Sequence, residues 1–259
     1  MLSLSWVCRM KNEFVVCYVV DNRAPRKLDY MTECIYSATS LRRFYSGPVI
    51  LFTNEVERAE KRGLFDEILP LSVERKGRSR VAVGTEKILG IKHCLPNCLF
   101  IDSDTIILDN ITLIQQRETF DLAGVTAPWR WNYNRIAKNP LTERQRNKHL
   151  NTGLIYFKGD KVQSFVDEWE NIQVNYKRDG SEDIAKLHDQ VNFAVALEDR
   201  EDIDVLNLPI NYNYRSLKRD PGVTGRIYVQ HAHHHQTDLS PDAIETYIDS
   251  VEEELNGKR

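Results

Sequence analysis

Short apolar runs alternate with longer amphipathic stretches along the first hundred residues of the chain. The short runs have the composition of buried strands, and the longer stretches repeat apolar residues near helical spacing. Strands that alternate with helices in this way predict an α/β fold with a mostly parallel central sheet and right-handed crossovers. The predicted strands of this half are residues 14–20, 49–52, 68–69 and 99–102, and the predicted helices are residues 28–45, 55–62 and 83–94.

An acidic group interrupts the apolar pattern at the end of the strand that begins at Leu99. It reads Asp102-Ser103-Asp104, and apolar residues resume at Ile106. If the backbone stays extended there, residues i and i+2 project to the same side, so both carboxylates can meet on one hard cation such as Mg²⁺ or Mn²⁺. Open α/β sheets bind their ligands at the carboxyl ends of such strands. The alternative is a solvated acidic turn, because aspartate initiates turns readily.

The second half of the chain is less regular, with strand-like and helix-like stretches at uneven spacing. Asn151-Thr152-Gly153 opens a strand, and Asp189-Gln190 stands at the start of an apolar helix. No repeat or low-complexity linker divides the chain, so the pattern predicts a single domain over residues 1–259. The predicted strands here are residues 122–125, 154–157 and 203–208, and the predicted helices are residues 160–176 and 191–197, with a terminal helix that begins at Pro241.

Composition and charge narrow the classes of function. The 259 residues carry 35 basic and 38 acidic side chains, and this net charge of −3 gives no support for nucleic-acid binding. No apolar run approaches the roughly 18 residues of a membrane span, and the N-terminus lacks the features of a signal peptide. The five cysteines are odd in number and scattered, which is typical of reduced, structural thiols. A cytoplasmic protein is therefore expected.

Four short motifs, taken in their order along the chain, resemble the retaining sugar-nucleotide transferases of the glycogenin and lipopolysaccharide galactosyltransferase type. The similarity covers about residues 14–235. It implies the GT-A fold, a Rossmann-like, mostly parallel sheet flanked by helices with an Asp-x-Asp loop. It also implies a nucleotide-binding half at about residues 14–110 and an acceptor half at about 111–259. The motifs are Asp102-Ser103-Asp104, Asn151-Thr152-Gly153, Asp189-Gln190 and a histidine, His231, after Tyr228-Val229.

The resemblance implies a divalent cation, Mn²⁺ or Mg²⁺, held by Asp102, Asp104 and a histidine. His231 is the best candidate for the third ligand, although His233 and two further histidines follow it. Mn²⁺ accepts imidazole beside carboxylates. The family usually has a Gly and then Lys-Pro-Trp after its histidine, whereas this chain continues with Ala232 and three histidines. The family's lysine contact to the donor diphosphate is therefore missing here or supplied elsewhere.

The resemblance also implies residues that bind the sugar nucleotide. Lys87 lies fifteen residues before Asp102 and is expected to contact the donor, together with Ser103. Asp21 and Asn22 end the first strand, where the family reads the base and ribose. A surface lysine and a simple Asp-Asn turn are the alternatives.

Two later motifs are expected to hold the sugar. Asn151 offers a donor and an acceptor to hydroxyl groups, Thr152 follows it, and Gly153 lets the backbone approach a ligand closely. Asp189 and Gln190 resemble the pair beneath the reacting sugar carbon, where they would stabilise developing positive charge. The alternative for Asp189 is a helix cap.

An aromatic group in the second half is expected to serve as an acceptor platform. Trp129, Trp131 and Tyr133 lie close together in a polar loop, where exposing all three would be costly. Aromatic rings stack on sugars but also fill cores, so a core role is the alternative.

These expectations describe a metal-dependent, hexosyltransferase-like enzyme. It would move a sugar from a nucleoside-diphosphate sugar, most simply a UDP-sugar, to a hydroxyl of a saccharide or other acceptor, with anomeric retention. One alternative is a haloacid-dehalogenase-type phosphatase with Asp102 as nucleophile and Asp104 as acid and base. Another is a nucleotide-sugar-binding module without catalysis.

Overall fold

A seven-stranded sheet forms the centre of the computed structural model, which describes residues 13–23, 28–73, 80–127, 148–175, 189–215 and 223–257. The described strands are β1 (Val15–Val20), β2 (Val49–Thr53), β3 (Glu67–Pro70), β4 (Cys98–Ile101), β5 (Thr105–Ile107), β6 (Leu122–Thr126), β7 (Leu150–Phe157), β8 (Val205–Leu208) and β9 (Val229–His231). The described helices are α1 (Tyr30–Arg42), α2 (Val56–Glu60), α3 (Arg80–Cys94), α4 (Leu113–Arg117), α5 (Lys161–Asn175), α6 (Asp189–Leu197) and α7 (Pro241–Asn256), with a 3₁₀ turn at Ile210–Asn213.

The central sheet has the strand order β3-β2-β1-β4-β7-β6-β8. The strands β3, β2, β1 and β4 run parallel, as do β6 and β8, whereas β7 is antiparallel to both of its neighbours. The prediction of a mostly parallel α/β sheet is confirmed. The direction of β7 could not be predicted from periodicity, because the apolar pattern of a buried strand is the same in either direction.

Alternate residues of β1 enter two different core layers, one on each face of the sheet. Tyr18 lies in the layer that contains Ile35 of α1 and Ile248 of α7. Cys17 lies in the opposite layer, with Ile91 of α3. Successive strand residues point to opposite faces, so a strand covered on both faces needs a continuous apolar run. This requirement explains why β1 is readily predicted from the sequence.

The described cysteines are free and buried, which confirms the expected reduced, structural thiols at these four positions. Burial raises the pKa of the Cys34 thiol well above its usual range, and a protonated, buried thiol is chemically inert. Cys8 lies outside the described residues. The four described cysteines are Cys17, Cys34, Cys94 and Cys98.

Helix ends follow local capping chemistry. Helix α1 starts at Tyr30, because the Asp29 carboxylate accepts a hydrogen bond from the Met31 N–H at 3.1 Å. It ends at Arg42, three residues before the predicted end. Helix α7 begins at Pro241, as predicted. Among the residues described here, no helix is both long and apolar enough to cross a membrane.

A two-stranded sheet positions the loop that follows β4. Strand β5 begins directly after the acidic group and pairs antiparallel with β9, so Thr105 lies opposite His231. The Thr105 hydroxyl is 2.7 Å from the Ser37 hydroxyl of α1, and the Ser40 hydroxyl accepts the Ile107 N–H at 2.8 Å. The pairing joins residues 126 positions apart (231 − 105), and the local apolar pattern gave no sign of it.

Candidate metal and donor-binding site

Asp102 and Asp104 lie on a bend between β4 and β5. The chain leaves β4 at Ile101 and bends at Ser103 and Asp104, so the condition of extended backbone is not met between the two aspartates. Long-range hydrogen bonds hold the bend. The Asp102 N–H donates to the Gly153 carbonyl at 2.8 Å, and the Ala232 N–H donates to the Asp104 carbonyl at 2.9 Å. The carboxylates therefore converge because β7 and β9 fix the bend on either side.

His231 completes a three-residue cluster with the two aspartates. Its Nε2 lies 3.2 Å from Asp104 Oδ1 and 3.8 Å from Asp102 Oδ2. One ligand atom from each residue lies within 4.8 Å of the other two. The Nδ1 of His231 is 2.7 Å from the Asn213 Oδ1, which orients the ring so that Nε2 faces the carboxylates. The three side chains that the resemblance named as ligands thus lie together.

Gly153 leaves room for this cluster. A Cβ at this position would lie 2.3 Å from the His231 Cε1 and 2.7 Å from the Asp102 Oδ2. Real Cβ atoms do not approach other atoms so closely, so the absence of a side chain is what lets β7 pass beside the two ligands. The close fit and the two-carboxylate, one-imidazole donor set both suit a divalent cation.

The other three histidines of the run have different surroundings. The Nδ1 of His233 lies 3.1 Å from Glu33 Oε1, and this hydrogen bond raises the pKa of His233 despite its partial burial. His233 also lies 3.4 Å from Asp104 Oδ2, on the outer side of the cluster. Burial lowers the pKa of His234 to about 4, and its Nδ1 contacts the Tyr247 hydroxyl at 3.1 Å. His235 is exposed.

Lys87 sits on α3 between two carboxylates. Its Nζ lies 3.2 Å from Asp102 Oδ1 and 2.9 Å from Asp189 Oδ2. Burial lowers the pKa of Lys87, but the two carboxylates outweigh it and the net pKa is raised. The Thr152 hydroxyl donates to the same Asp189 oxygen at 2.9 Å. Lys87 is therefore a buried, charged link between β4 and α6.

The two aspartates of the bend differ in their acidity. Burial raises the pKa of Asp102, with Lys87 opposing this shift and Asp104 adding to it. Burial acts in the same direction on Asp104, but the basic side chains around it, first His231 and then His233 and Arg215, outweigh burial and hold the pKa of Asp104 well below its usual range. A concentration of negative charge therefore persists beside His231 at neutral pH.

Gln190 contacts a histidine that the sequence reading missed. The Gln190 Nε2 lies 3.2 Å from the His149 Nε2. Burial lowers the pKa of His149 to about 4, so the ring is neutral at pH 7. Because an amide nitrogen only donates, the His149 Nε2 accepts and its proton resides on Nδ1. The one signal in the sequence is the position of His149, two residues before Asn151.

The remaining predicted donor-binding residues lie at the same edge of the sheet. The Asn151 Oδ1 accepts the Gly153 N–H at 2.9 Å, and Ser103 is buried in the bend. Asp21 and Asn22 follow β1, the parallel neighbour of β4, so both strands end at one edge.

The side chains of Asp21 and Asn22 make hydrogen bonds within the protein. Both Asp21 oxygens accept from the Arg23 guanidinium at 3.0 Å. The Asn22 amide donates to Asp29 and Glu55, each at 3.0 Å. Their proposed contact with the base and ribose stays a prediction.

The expected aromatic platform of Trp129, Trp131 and Tyr133 lies outside the described residues.

Arg215 is a second residue that the sequence reading missed. Its Nη2 lies 3.3 Å from the His231 Nε2. It stands two residues after Asn213, the orienting partner of the same ring. Both residues come from a stretch without a clear apolar period, so only the fold reveals their place.

Solved structures of glycosyltransferases share this fold. The chain matches WbbM, a bifunctional glycosyltransferase, with a TM-score of 0.56 and 11% identity, over 87% of this chain and 46% of that chain. It matches GlyE of Streptococcus pneumoniae TIGR4 with a TM-score of 0.53 and 13% identity, over 92% of this chain and 61% of that chain. For mouse xyloside xylosyltransferase 1 the TM-score is 0.53 and the identity 13%, over 87% of this chain and 99% of that chain.

The similarity is one of structure alone. No protein-family model matches the chain, and no curated protein matches it. The chain spans about half of the WbbM chain and less than two thirds of the GlyE chain. At these identities the likeness establishes a common fold, which confirms the predicted GT-A architecture.

Proposed function

We propose that this chain is a metal-dependent glycosyltransferase that moves a sugar from a nucleoside-diphosphate sugar to an acceptor hydroxyl. The observation that carries the proposal is the convergence of Asp102, Asp104 and His231 at the carboxyl end of β4, in a fold shared with glycosyltransferases. Ligands of open α/β sheets bind at such strand ends. The fold favours a transferase over the phosphatase that the Asp-x-Asp pattern alone also suggested.

The donor set supports Mn²⁺, with Mg²⁺ as the second choice. Asp102 and Asp104 would supply oxygen ligands and His231 a nitrogen ligand, which Mn²⁺ accepts more readily than Mg²⁺ does. When bound, the cation neutralises negative charge on the departing diphosphate. Gly153 supports this role, because its missing side chain keeps the centre open.

The chain's own residues would orient the donor around this centre. Lys87 fixes one oxygen of Asp102, leaving the other directed at His231. Asp21 and Asn22 are proposed to meet the base and ribose, and Ser103 and Asn151 the phosphates and sugar. A UDP-sugar is the simplest donor, and a saccharide hydroxyl is the simplest acceptor.

Asp189 and Gln190 are proposed to act beneath the reacting sugar carbon. Asp189 is held by Lys87 and Thr152, so its charge has a fixed position. The neutral His149 accepts from the Gln190 amide nitrogen, which turns the amide oxygen away from the histidine. A carbonyl oxygen so directed can stabilise positive charge that develops on the sugar ring. Anomeric retention and a hexose donor are part of this proposal.

Thermal unfolding with nucleotides and cations tests the proposal. The protein is heated with UDP, GDP, ADP and their sugar conjugates, each with and without Mn²⁺. A ligand at about a hundred times its Kd stabilises the folded state by about 2.7 kcal/mol, which raises Tm by roughly 5–10 °C for a chain of this size. The shift is expected only when nucleotide and cation are present together.

Matched variants and product release separate the alternatives. Asp104→Asn and His231→Gln should abolish the joint shift, whereas Asp167→Asn, on an exposed carboxylate paired with Lys92, should keep it. Release of nucleoside diphosphate on addition of acceptors identifies a transferase, and its absence identifies a binding module. Phosphate release from simple esters without nucleoside preference identifies a phosphatase. No joint shift with any base would contradict the proposal.

A further inference from the structure

Arg215 brings a guanidinium to the candidate metal centre, and the proposed function leaves this group without a role. The contact at 3.3 Å is made to Nε2 of His231, the atom that also faces Asp102 and Asp104. Arg215 also interacts electrostatically with Asp104. The stretch that ends the 3₁₀ turn therefore orients the imidazole through Asn213 and places a positive charge at its other nitrogen.

The electron-rich character of the centre explains this contact. Asn213 Oδ1 faces Nδ1 of the His231 ring, so Nε2 is the ring nitrogen directed at the centre. Two carboxylate oxygens face the same region. A guanidinium has donors only and keeps its charge at any relevant pH, so beside Nε2 it offsets the charge of the two carboxylates.

We propose that Arg215 and the divalent cation compete for this centre, and that Arg215 turns to the donor diphosphate when the cation is bound. The inference rests on the proposed function. Nε2 is the histidine atom that the cation would bind, and the guanidinium now lies 3.3 Å from it, so the two cannot hold this position at once. A guanidinium displaced from Nε2 keeps its planar fork of donors beside the cation, where two parallel hydrogen bonds to phosphate oxygens suit it.

Two binding measurements on Arg215→Ala test the proposal. In the first, free Mn²⁺ is followed by electron paramagnetic resonance during titration of the protein without nucleotide. Loss of the competing guanidinium should tighten Mn²⁺ binding at least about fivefold, the lower end of coupling between sites. In the second, UDP binding is measured by calorimetry at saturating Mn²⁺, where the variant should bind at least about fivefold more weakly.

Controls separate charge from structural support. Arg43→Ala removes a guanidinium that pairs with Glu245 and Asp249 on α7, and it should leave both affinities unchanged. Arg215→Lys keeps the charge and should retain Mn²⁺ affinity near that of the wild type, with weaker UDP binding than arginine gives. Arg215→Gln removes the charge but keeps a donor, and it should behave like Arg215→Ala in both measurements. It also provides a second variant if Arg215→Ala folds poorly.

The outcomes have distinct meanings. Tighter Mn²⁺ binding together with weaker UDP binding supports the proposal. Weaker binding of both would mark Arg215 as a structural support of His231 and overturn it, as would two unchanged affinities. Tighter Mn²⁺ binding with unchanged UDP binding would overturn the diphosphate role. If no variant and no wild-type protein binds Mn²⁺, the inference and the cation part of the proposed function both fail.

Discussion

The two oxygens of Asp102 face two different basic side chains. Oδ1 lies 3.2 Å from the ammonium of Lys87, whereas Oδ2 faces His231 at 3.8 Å. We call the first region the lysine side, formed by Lys87, Asp189 and Thr152, and the second the cation side, formed by Asp104, His231 and Arg215. On the lysine side the positive charge belongs to the Lys87 side chain and is permanent. On the cation side the proposed divalent cation would be exchangeable, so we expect the lysine side to contribute mainly to stability and the cation side to metal binding.

The largest expected effect comes from removing the positive charge of Lys87. Lys87→Met leaves Asp102 and Asp189 facing each other without the ammonium group that pairs with both. Removing one partner from a buried ion pair typically destabilises a protein by about 3–5 kcal/mol. We expect a loss at or somewhat below this range, because both carboxylates are partly exposed, and chemical denaturation measures it.

Lys92→Met is the matched control for this prediction. Lys92 lies on the same helix and also pairs with two acidic groups, Asp167 and Glu170, but at the surface. Exposed pairs contribute at most about 1 kcal/mol. If the two variants lose equal stability, the lysine side has no special structural role.

Low pH tests whether His149, the buried partner of Gln190 beside the lysine side, is held neutral in the folded protein. The unfolded chain protonates this histidine below its ordinary pKa of 6.5, whereas burial lowers the pKa in the folded protein to about 4. Between pH 6.5 and pH 4 the unfolded state binds more protons than the folded state. The stability that neutral His149 contributes is therefore complete above pH 6.5 and is lost as the pH falls toward 4. The shift corresponds to about 3 kcal/mol.

The measurement is the free energy of unfolding from pH 7 to pH 4 for the wild type and for His149→Gln. We expect the variant to lose about 3 kcal/mol less than the wild type over this interval. The free energy of unfolding of the wild type over the same interval gives the reference slope. A variant at position 149 with that same slope would show that His149 is not held neutral.

A third change tests the space on the cation side. Gly153→Ala places a methyl group where His231 and Asp102 now lie. Overpacking of this kind costs about 1–3 kcal/mol, and we also expect Mn²⁺ binding to be lost because the ligands must separate. Gly63→Ala is a control of comparable destabilisation, since Gly63 has a φ of 61° in open space. Retained Mn²⁺ affinity in Gly153→Ala would contradict the close fit.

The smallest expected effect concerns the orientation of His231. Asn213→Ala removes the oxygen that faces Nδ1 of the ring. Residues that orient a metal ligand contribute about 10–100-fold to metal affinity, so we expect a loss in that range with little change in stability. Titration with Mn²⁺ measures it. An unchanged affinity would mean that strand pairing alone positions the imidazole.

Sequence pattern predicted the parts of this molecule that depend on neighbouring residues. Strand β1 and helix α1 were recognisable, because burial on both faces or on one stripe leaves a local signature. The positions of Asp102, Asp104 and His231 came from their motifs, and the structure brings them together. The metal role itself remains a proposal.

The rest of the site depends on contacts between distant segments. The bend that follows Asp102 has no local signature, because the hydrogen bonds that hold it come from Gly153 of β7 and from Ala232, directly after β9. The places of His149, Asn213 and Arg215 were missed because polar residues in weakly patterned stretches carry no period. Backbone hydrogen bonds of Tyr214 with Val229 and His231 hold the stretch with Asn213 and Arg215 beside β9, and the pairing of β9 with β5 places β9 at the centre.

One measurement tests most directly the claim that one oxygen of Asp102 belongs to the lysine side and the other to the cation side. Mn²⁺ is titrated into the wild type, Asp104→Asn and Asp189→Asn, with free Mn²⁺ followed by electron paramagnetic resonance. Both substitutions remove one carboxylate charge from the neighbourhood of Asp102, but on opposite sides. We expect one Mn²⁺ per chain in the wild type and in Asp189→Asn, and none in Asp104→Asn. Equal loss of Mn²⁺ binding in both variants would contradict the division of Asp102 into a structural and an exchangeable side.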